Sequence, residues 1–215
     1  MKKLLSLVGT GILTTSGIAP LMAMTPGFIN TIEENNIIKY YQSNGVFESN
    51  ILEVDSEKQV FLMNFDLTNI LGITTREELI NNFDLINFKR NYSENGILMS
   101  FNIKSSYNDF LLSNEYVLEN INVNNFSNSN SISEERNLHL ENAWGSANIR
   151  LYLEVNLNEE QINTTEGNSN NNHLNLQILI RAELENFEIR RTYGGLINRL
   201  QIMVDSSNKI WFYKK

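Results

Sequence analysis

The chain of 215 residues contains no cysteine. Disulfides, thiolate nucleophiles and thiolate metal sites are therefore excluded. Histidine is nearly as scarce, with only His139 and His173, far apart in sequence. Metal centres and Ser-His or Cys-His catalysis need histidine set against suitable partners. No HxH, HExxH or GxSxG spacing occurs, so both histidines read as structural or surface residues. A glycine-rich phosphate loop, a dinucleotide fingerprint and a calcium-loop spacing are also missing, and no cofactor is expected. Positive charge is the last shortage: 17 Lys and Arg stand against 25 Asp and Glu, a formal charge of −8. The basic residues are scattered, a poor arrangement for neutralising phosphates, so nucleic acid is not an expected partner.

What is present begins with MKKLLSLVGTGILTTSGIAPLMA. Lys2 and Lys3 open it, an apolar and small run follows to about Met22, and Leu21-Met22-Ala23 offers a small residue for cleavage. Residues 1–23 read as a signal peptide or leader. The mature part, 24–215, then carries 17 − 2 = 15 basic against 25 acidic residues. It is expected to form a single β-rich domain, secreted or, if the leader is retained, attached at the cell surface. The segment MKKLLSLVGTGILTT resembles the leaders of exported proteins of wall-less bacteria, the mollicutes, and of Spiroplasma in particular. Asparagine at about one residue in six, with abundant isoleucine, suits such an AT-rich genome. Many such leaders end in a lipidated cysteine, which this chain cannot supply.

The dominant pattern lies between Trp144 and Arg190. In WGSANIRLYLEVNL, Ile149, Leu151, Leu153, Val155 and Leu157 alternate with Arg150, Tyr152, Glu154 and Asn156. HLNLQILIRAEL repeats the rhythm from Leu174 to Leu184. A period of two places each apolar set on one face of a half-buried antiparallel strand. The connector Asn158–Asn172 and the run Ser127–Ser133 read as polar loops. At Glu185–Phe187 the apolar phase moves from even to odd numbers, which one extra residue in a β-bulge produces.

Elsewhere, Ile29 and Ile32, with the later Ile37-Ile38 and Tyr40-Tyr41, mark a short helix or a first strand, and the Ile29/Ile32 spacing favours the helix. GVFESNILEV and QVFLMNFDL look like a hairpin turned at Asp55–Lys58. ITTREELINNF has a helix start, with Thr74–Glu77 or Thr75–Glu78 as a capping box. GILMSFNIK alternates as a strand, and EYVLENINVNNF does so more weakly. Thr192–Gly195 reads as a turn, and RLQIMVD with KIWFYKK as a terminal hairpin that puts Leu200, Ile202 and Val204 on one face. The fold class expected is mainly β, with α+β left open: an antiparallel sheet or sandwich carrying one or two short helices.

Candidates for chemistry are few. Glu154 and Glu183 sit on the polar faces of the two best strands and could approach as a carboxylate pair. Arg150 and Arg181 offer them cross-strand ion pairs on a solvated face. LENAWG, Leu140 to Gly145, resembles the segment bearing the active-site tryptophan of ribosome-inactivating proteins, the N-glycosidases that depurinate ribosomal RNA. That resemblance implies a Glu-x-x-Arg some thirty residues earlier, but SSYNDFLLSNEY contains no arginine. The only Glu-x-x-Arg after it is Glu188–Arg191. Trp144 otherwise packs at a sheet edge. Trp211 and Tyr213 share one face of the last strand, opposite Phe212, where exposed rings bind sugars or proteins.

The sequence therefore points to a secreted or surface-exposed binding or adhesion module without an evident catalytic centre. Trp144, Trp211 and Tyr213 are its candidate binding residues, and its partner a host or surface protein or a glycan. A membrane would be met only through an uncleaved leader. The alternatives are a toxin-like enzyme, in the form of a degenerate N-glycosidase, and a structural subunit of a surface assembly.

Overall fold

Every long alternating run of the sequence lies in a strand. The computed structural model describes residues 30–41, 47–53, 59–89, 95–105, 109–163, 170–190, 196–205 and 209–215. The leader, the Asp55–Lys58 and Thr192–Gly195 turns and Arg191 lie outside them. The fold is mainly β. Its strands are β1 (Asn30–Glu34), β2 (Ile37–Tyr41), β3 (Phe47–Glu53), β4 (Gln59–Asp66), β5 (Phe83–Lys89), β6 (Ile97–Ser105) and β7 (Asp109–Leu118). There follow β8 (Asn120–Asn122), β9 (Ser131–Glu141), β10 (Gly145–Asn163), β11 (Asn170–Ile189), β12 (Leu196–Asp205) and β13 (Lys209–Lys214). Two short helices, α1 (Leu67–Leu71) and α2 (Arg76–Asn82), separate β4 from β5.

The strands form three antiparallel sheets, ordered β1-β2-β13-β5-β8, β3-β12-β6-β7 and β4-β11-β10-β9. The first two share an order. β2 leads into β3, β5 into β6, β7 into β8 and β12 into β13, so four chain segments pass from one sheet to the other side by side. Glu119 marks one crossing, and its carbonyl oxygen accepts the amide of Phe88 from the next segment at 3.4 Å.

This arrangement overturns two expected hairpins. β3 pairs with β12 and β4 with β11, while β12 and β13 belong to different sheets. A short polar linker between apolar runs suits a strand that changes sheets as well as one that folds back. The expected face of Leu200, Ile202 and Val204 is buried as a set.

Of the two readings of this stretch the strand holds: from Asn30 on it is a hairpin, β1 against β2, with Ile32 in β1, while Ile29 lies outside the described residues. Asn35 and Asn36 have φ of 51° and 62°. Two successive left-handed residues make the two-residue turn whose twist suits a hairpin, and asparagine tolerates it best after glycine. The helix at Thr75 forms as expected. Its hydroxyl accepts the amide of Glu78 at 3.2 Å, and the Glu78 carboxylate accepts those of Thr74 and Thr75 at 2.7 and 3.2 Å. α1 was hidden at the end of an apolar run; Asp66 caps it by accepting the Asn69 amide at 2.9 Å, and Gly72 closes it at φ 71°.

β10 and β11 pair along their whole length, burying Ile149 to Leu157 and Leu174 to Ala182 at alternate positions. The bulge falls where the apolar phase predicted it. Asn148 faces Asn186 and Ile149 faces Leu184, leaving Glu185 as the extra residue. The expected loops are shorter than the sequence suggests, because pairing continues to Asn163–Asn170 and β9 begins at Ser131. Backbone hydrogen bonds propagate a ladder whatever the side chains. In β9 the period is masked by Glu134 and Arg136, which occupy the row of Ile132, Leu138 and Leu140.

Buried side chains from all three sheets form one cluster, including Phe61, Phe88, Phe101, Phe126 and Phe212. Close approach is tightest at Gly145, where a Cβ would stand 2.4 Å from the carbonyl oxygen of Glu188 and 3.0 Å from Ile103 Cδ1.

Candidate functional site

In β13, Ile210 and Phe212 are buried in the core, which turns Lys209, Trp211 and Tyr213 to the other face of the first sheet. Trp211 and Tyr213 are half-buried there. Register then decides what surrounds them, since residues directly opposite in neighbouring strands share a face. Trp211 lies opposite Lys39 of β2 and Asn87 of β5, and Asn87 lies opposite Asn120 of β8. Tyr213 lies opposite Ile37 and Leu85, and Lys209 opposite Tyr41 and Lys89.

Two ammonium groups stand over the indole: Lys39 Nζ at 5.1 Å and Lys89 Nζ at 4.6 Å from its centroid. Each is attracted by the negative face of the ring. Lys39 also donates to Glu34, and Lys89 to Asn95 Oδ1. The Glu34 hydrogen bond raises the Lys39 pKa, and Lys39 in turn holds the Glu34 carboxyl below the usual carboxylate range. On a chain with an acidic balance, this face gathers Lys39, Lys89 and Lys209 around one tryptophan.

The same place holds two unsatisfied polar atoms. Trp211 Nε1, a donor, and Asn87 Oδ1, an acceptor, are closed to solvent and have no hydrogen-bond partner among the described residues. Asn87 is only 8% exposed. A buried polar atom left unpaired costs about 1–3 kcal/mol, so such atoms are uncommon.

Trp144 is placed differently. Its ring stacks on Phe110, centroids 4.2 Å apart and planes at 29°, and packs against the core where β10 begins. Its amide donates to Asn142 Oδ1 at 2.8 Å and its carbonyl oxygen accepts the Arg190 amide at 2.9 Å. Glu188 is exposed and lies opposite Ser146.

Glu154 and Glu183 are not brought together. Glu154 faces Leu179, whereas Glu183 faces Arg150 and lies 3.7 Å from Arg181 Nε. Arg150 reaches Glu185 at 2.6 Å and Glu135 at 3.6 Å, while the Arg181 guanidinium lies 4.3 Å over the Tyr152 ring. These are partly exposed ion pairs on a sheet face, worth a few tenths of a kcal/mol each, roughly. His139 Nδ1 is 2.7 Å from Asn148 Oδ1 and its Nε2 is 3.3 Å from Glu141. His173 Nδ1 stands 3.6 Å from Asp66. Among the described residues no three His, Asp or Glu side chains gather as a metal set. No described helix is long and apolar enough to cross a membrane.

Lys39, Lys89 and Asn87 were beyond sequence reasoning. Each stands in an unremarkable polar position, and only the order β2-β13-β5 brings them to Trp211. No family model, curated protein or solved structure matches this chain.

Proposed function

We propose that the protein is an exported binding module that presents the outer face of its first sheet to a host or surface protein or glycan. The observation that carries this reading is Trp211 on the outer side of a sheet, with two lysine ammonium groups over its ring and Tyr213 two residues along. Half-exposed aromatic rings offer apolar area with a polar edge, the combination that recognition surfaces favour. Rigid strands hold these side chains in place, so little ordering is needed on binding. The β10–β11 ribbon supports the same reading. It continues past the ends of β9 and β4, which pair only as far as Asn156 and Asn175, and so offers a second element for contact.

The test is a glycan array and a surface-protein binding panel probed with the full chain and with Trp211→Ala. Retention by defined ligands that Trp211→Ala loses, with unchanged circular dichroism, supports the proposal. Equal retention of both proteins would remove the face from consideration.

A further inference from the structure

Three sheets leave six outer strands, and five of them are guarded against pairing with another strand. β1 is short, and its Glu33 and Glu34 are ion-paired with Lys214 and Lys39. β8 has only three residues. β3 carries Glu48 and Glu53, and β9 carries Glu134, Glu135 and Arg136 within its run. At β7, side chains occupy the edge itself. Asn142 Nδ2 donates to the carbonyl oxygens of Leu111 and Leu112 at 2.7 and 3.4 Å, and Arg136 Nη1 to that of Tyr116 at 2.9 Å. Short length, charge and occupied carbonyls all keep an edge from recruiting a further strand.

β4 has none of these. Its eight residues, QVFLMNFD, pair with β11 in an unbroken register and contain no proline, no lysine or arginine, and one acid. That acid, Asp66, stands at the end of the strand, where it caps α1. Among the described residues no strand pairs with the other side of β4. Phe61, Met63 and Phe65 are buried, while Val60 and Leu62 turn outward, 50% and 44% exposed. Leu179 lies opposite Leu62 on β11 and continues the apolar strip.

We infer that β4 pairs antiparallel with β4 of a second copy about a two-fold axis, joining two four-stranded sheets into one of eight. Opposite residues share a face, so even-numbered positions must meet even-numbered ones. With Phe61 opposite its own copy, Val60 lies opposite the second copy's Leu62, and Leu62 opposite its Val60. Both outward positions then meet an apolar side chain. One step along, with Leu62 at the centre, Val60 faces Asn64; a further step sets Val60 against Asp66. The first register keeps the two Asp66 carboxylates at opposite ends and brings no charge into the contact. The joined sheet ends in β9 on both sides, where Glu134, Glu135 and Arg136 oppose further addition, so the pairing closes at two.

Size decides the strength. Standard interfaces use roughly 20–30 residues a side, and β4 has eight. The dimer is therefore weak and concentration-dependent, with a Kd on the order of micromolar or above. It is independent of the binding face proposed for the first sheet, and neither depends on the other's success.

The experiment is sedimentation of the purified full chain from about 1 to about 300 μM, a range that brackets such a Kd. Two double variants accompany it, Val60→Lys with Leu62→Lys and Val60→Glu with Leu62→Glu. The parent should dimerise with concentration, and each double variant should weaken the dimer by at least about tenfold, because like charges then stand opposite one another. An equimolar mixture of the two variants should restore association, since Lys then meets Glu. Both positions are exposed, and unchanged circular dichroism shows that the fold is kept. Register is read by cross-linking, in a chain that has no cysteine of its own. A mixture of Val60→Cys and Leu62→Cys chains should form a linked pair several-fold faster than either alone, whose thiols lie on the longer diagonal. Leu111→Cys, equally exposed on β7, should link slowly.

A chain that stays monomeric throughout, or a dimer that both double variants leave unchanged, would overturn the inference. So would a mixture of the Lys and Glu variants that fails to associate, or Leu111→Cys linking as fast as the mixed pair. Slow hydrogen exchange at every β4 amide in the dilute monomer would overturn it too, since another segment of this chain would then already cover the edge.

Discussion

Trp144 and Phe110 stack on one another across two sheets, their centroids 4.2 Å apart. The pair joins the start of β10 to the start of β7, beside Gly145, where the chain passes close to the Glu188 carbonyl. Truncation of either ring removes a stacked contact and the apolar area beneath it. Trp144→Ala is expected to lose about 2–4 kcal/mol of stability in urea unfolding. If Trp144 works only as this packing ring, glycan binding by the folded Trp144→Phe variant will match that of the parent.

Gly145 follows that tryptophan and has no room for a side chain. A methyl group would meet the Glu188 carbonyl oxygen at 2.4 Å, a backbone atom that cannot swing aside. Gly145→Ala should therefore lower the unfolding free energy by about 1–3 kcal/mol, in the range of overpacked sites. Chemical denaturation reads this directly, and Gly72→Ala, with open space around its Cβ but φ of 71°, reports the separate cost of a left-handed backbone.

The capping box of α2 makes stability depend on pH. The hydrogen bond from the Thr74 amide is the main cause that holds the Glu78 carboxyl below its ordinary range; desolvation opposes it, and the Thr75 amide and Thr74 hydroxyl add to the lowering. A carboxyl with a lowered folded pKa contributes stability above its unfolded value, about 4.3, and loses it as pH falls through the folded value. Urea midpoints taken at pH 7 and pH 3 should fall further for the parent than for Glu78→Gln. Thr75→Ala should cost about 1 kcal/mol at neutral pH.

His139 should titrate above the ordinary histidine range. The hydrogen bond to Asn148 is the main cause and that to Glu141 the next, while nearby Arg190 works the other way. Its raised folded pKa means that the contribution is present below the unfolded value and disappears as pH rises through the folded one. Proton NMR titration should show the His139 midpoint falling in Asn148→Ala, with a smaller fall in Glu141→Gln.

Much of the architecture could be read from alternation alone. The buried rows of β10 and β11, the bulge at Glu185 and the Thr75–Glu78 cap are local consequences of residue order, so the sequence carries them openly. Partnership is not local. Nothing in QVFLMNFD says that it will lie beside Leu176 and not beside its neighbour β3, because both pairings bury the same apolar row. The Asn35–Asn36 turn was readable in principle, since paired asparagines tolerate positive φ, but the isoleucine spacing around it imitated a helix. The candidate site was legible only in its tryptophan and tyrosine. Lys39, Asn87 and Lys89 reach Trp211 through pairings between segments more than a hundred residues apart.

Glu185 fixes a parity along β11. Up to that residue the even-numbered side chains point to the interior, and beyond it Phe187 and Ile189, at odd numbers, do so. Deleting this single residue would leave every β10 partner in place on both sides, with Leu184, Phe187 and Ile189 still turned inward and the ladder regular across Asn148 and Ile149. A one-residue insertion or deletion between Leu174 and Leu184, by contrast, would turn the side chains on one side of it outward unless a second bulge absorbed it. Length changes in this strand are therefore tolerated at the bulge and not within the regular ladder, a constraint set by counting and indifferent to which amino acids are exchanged.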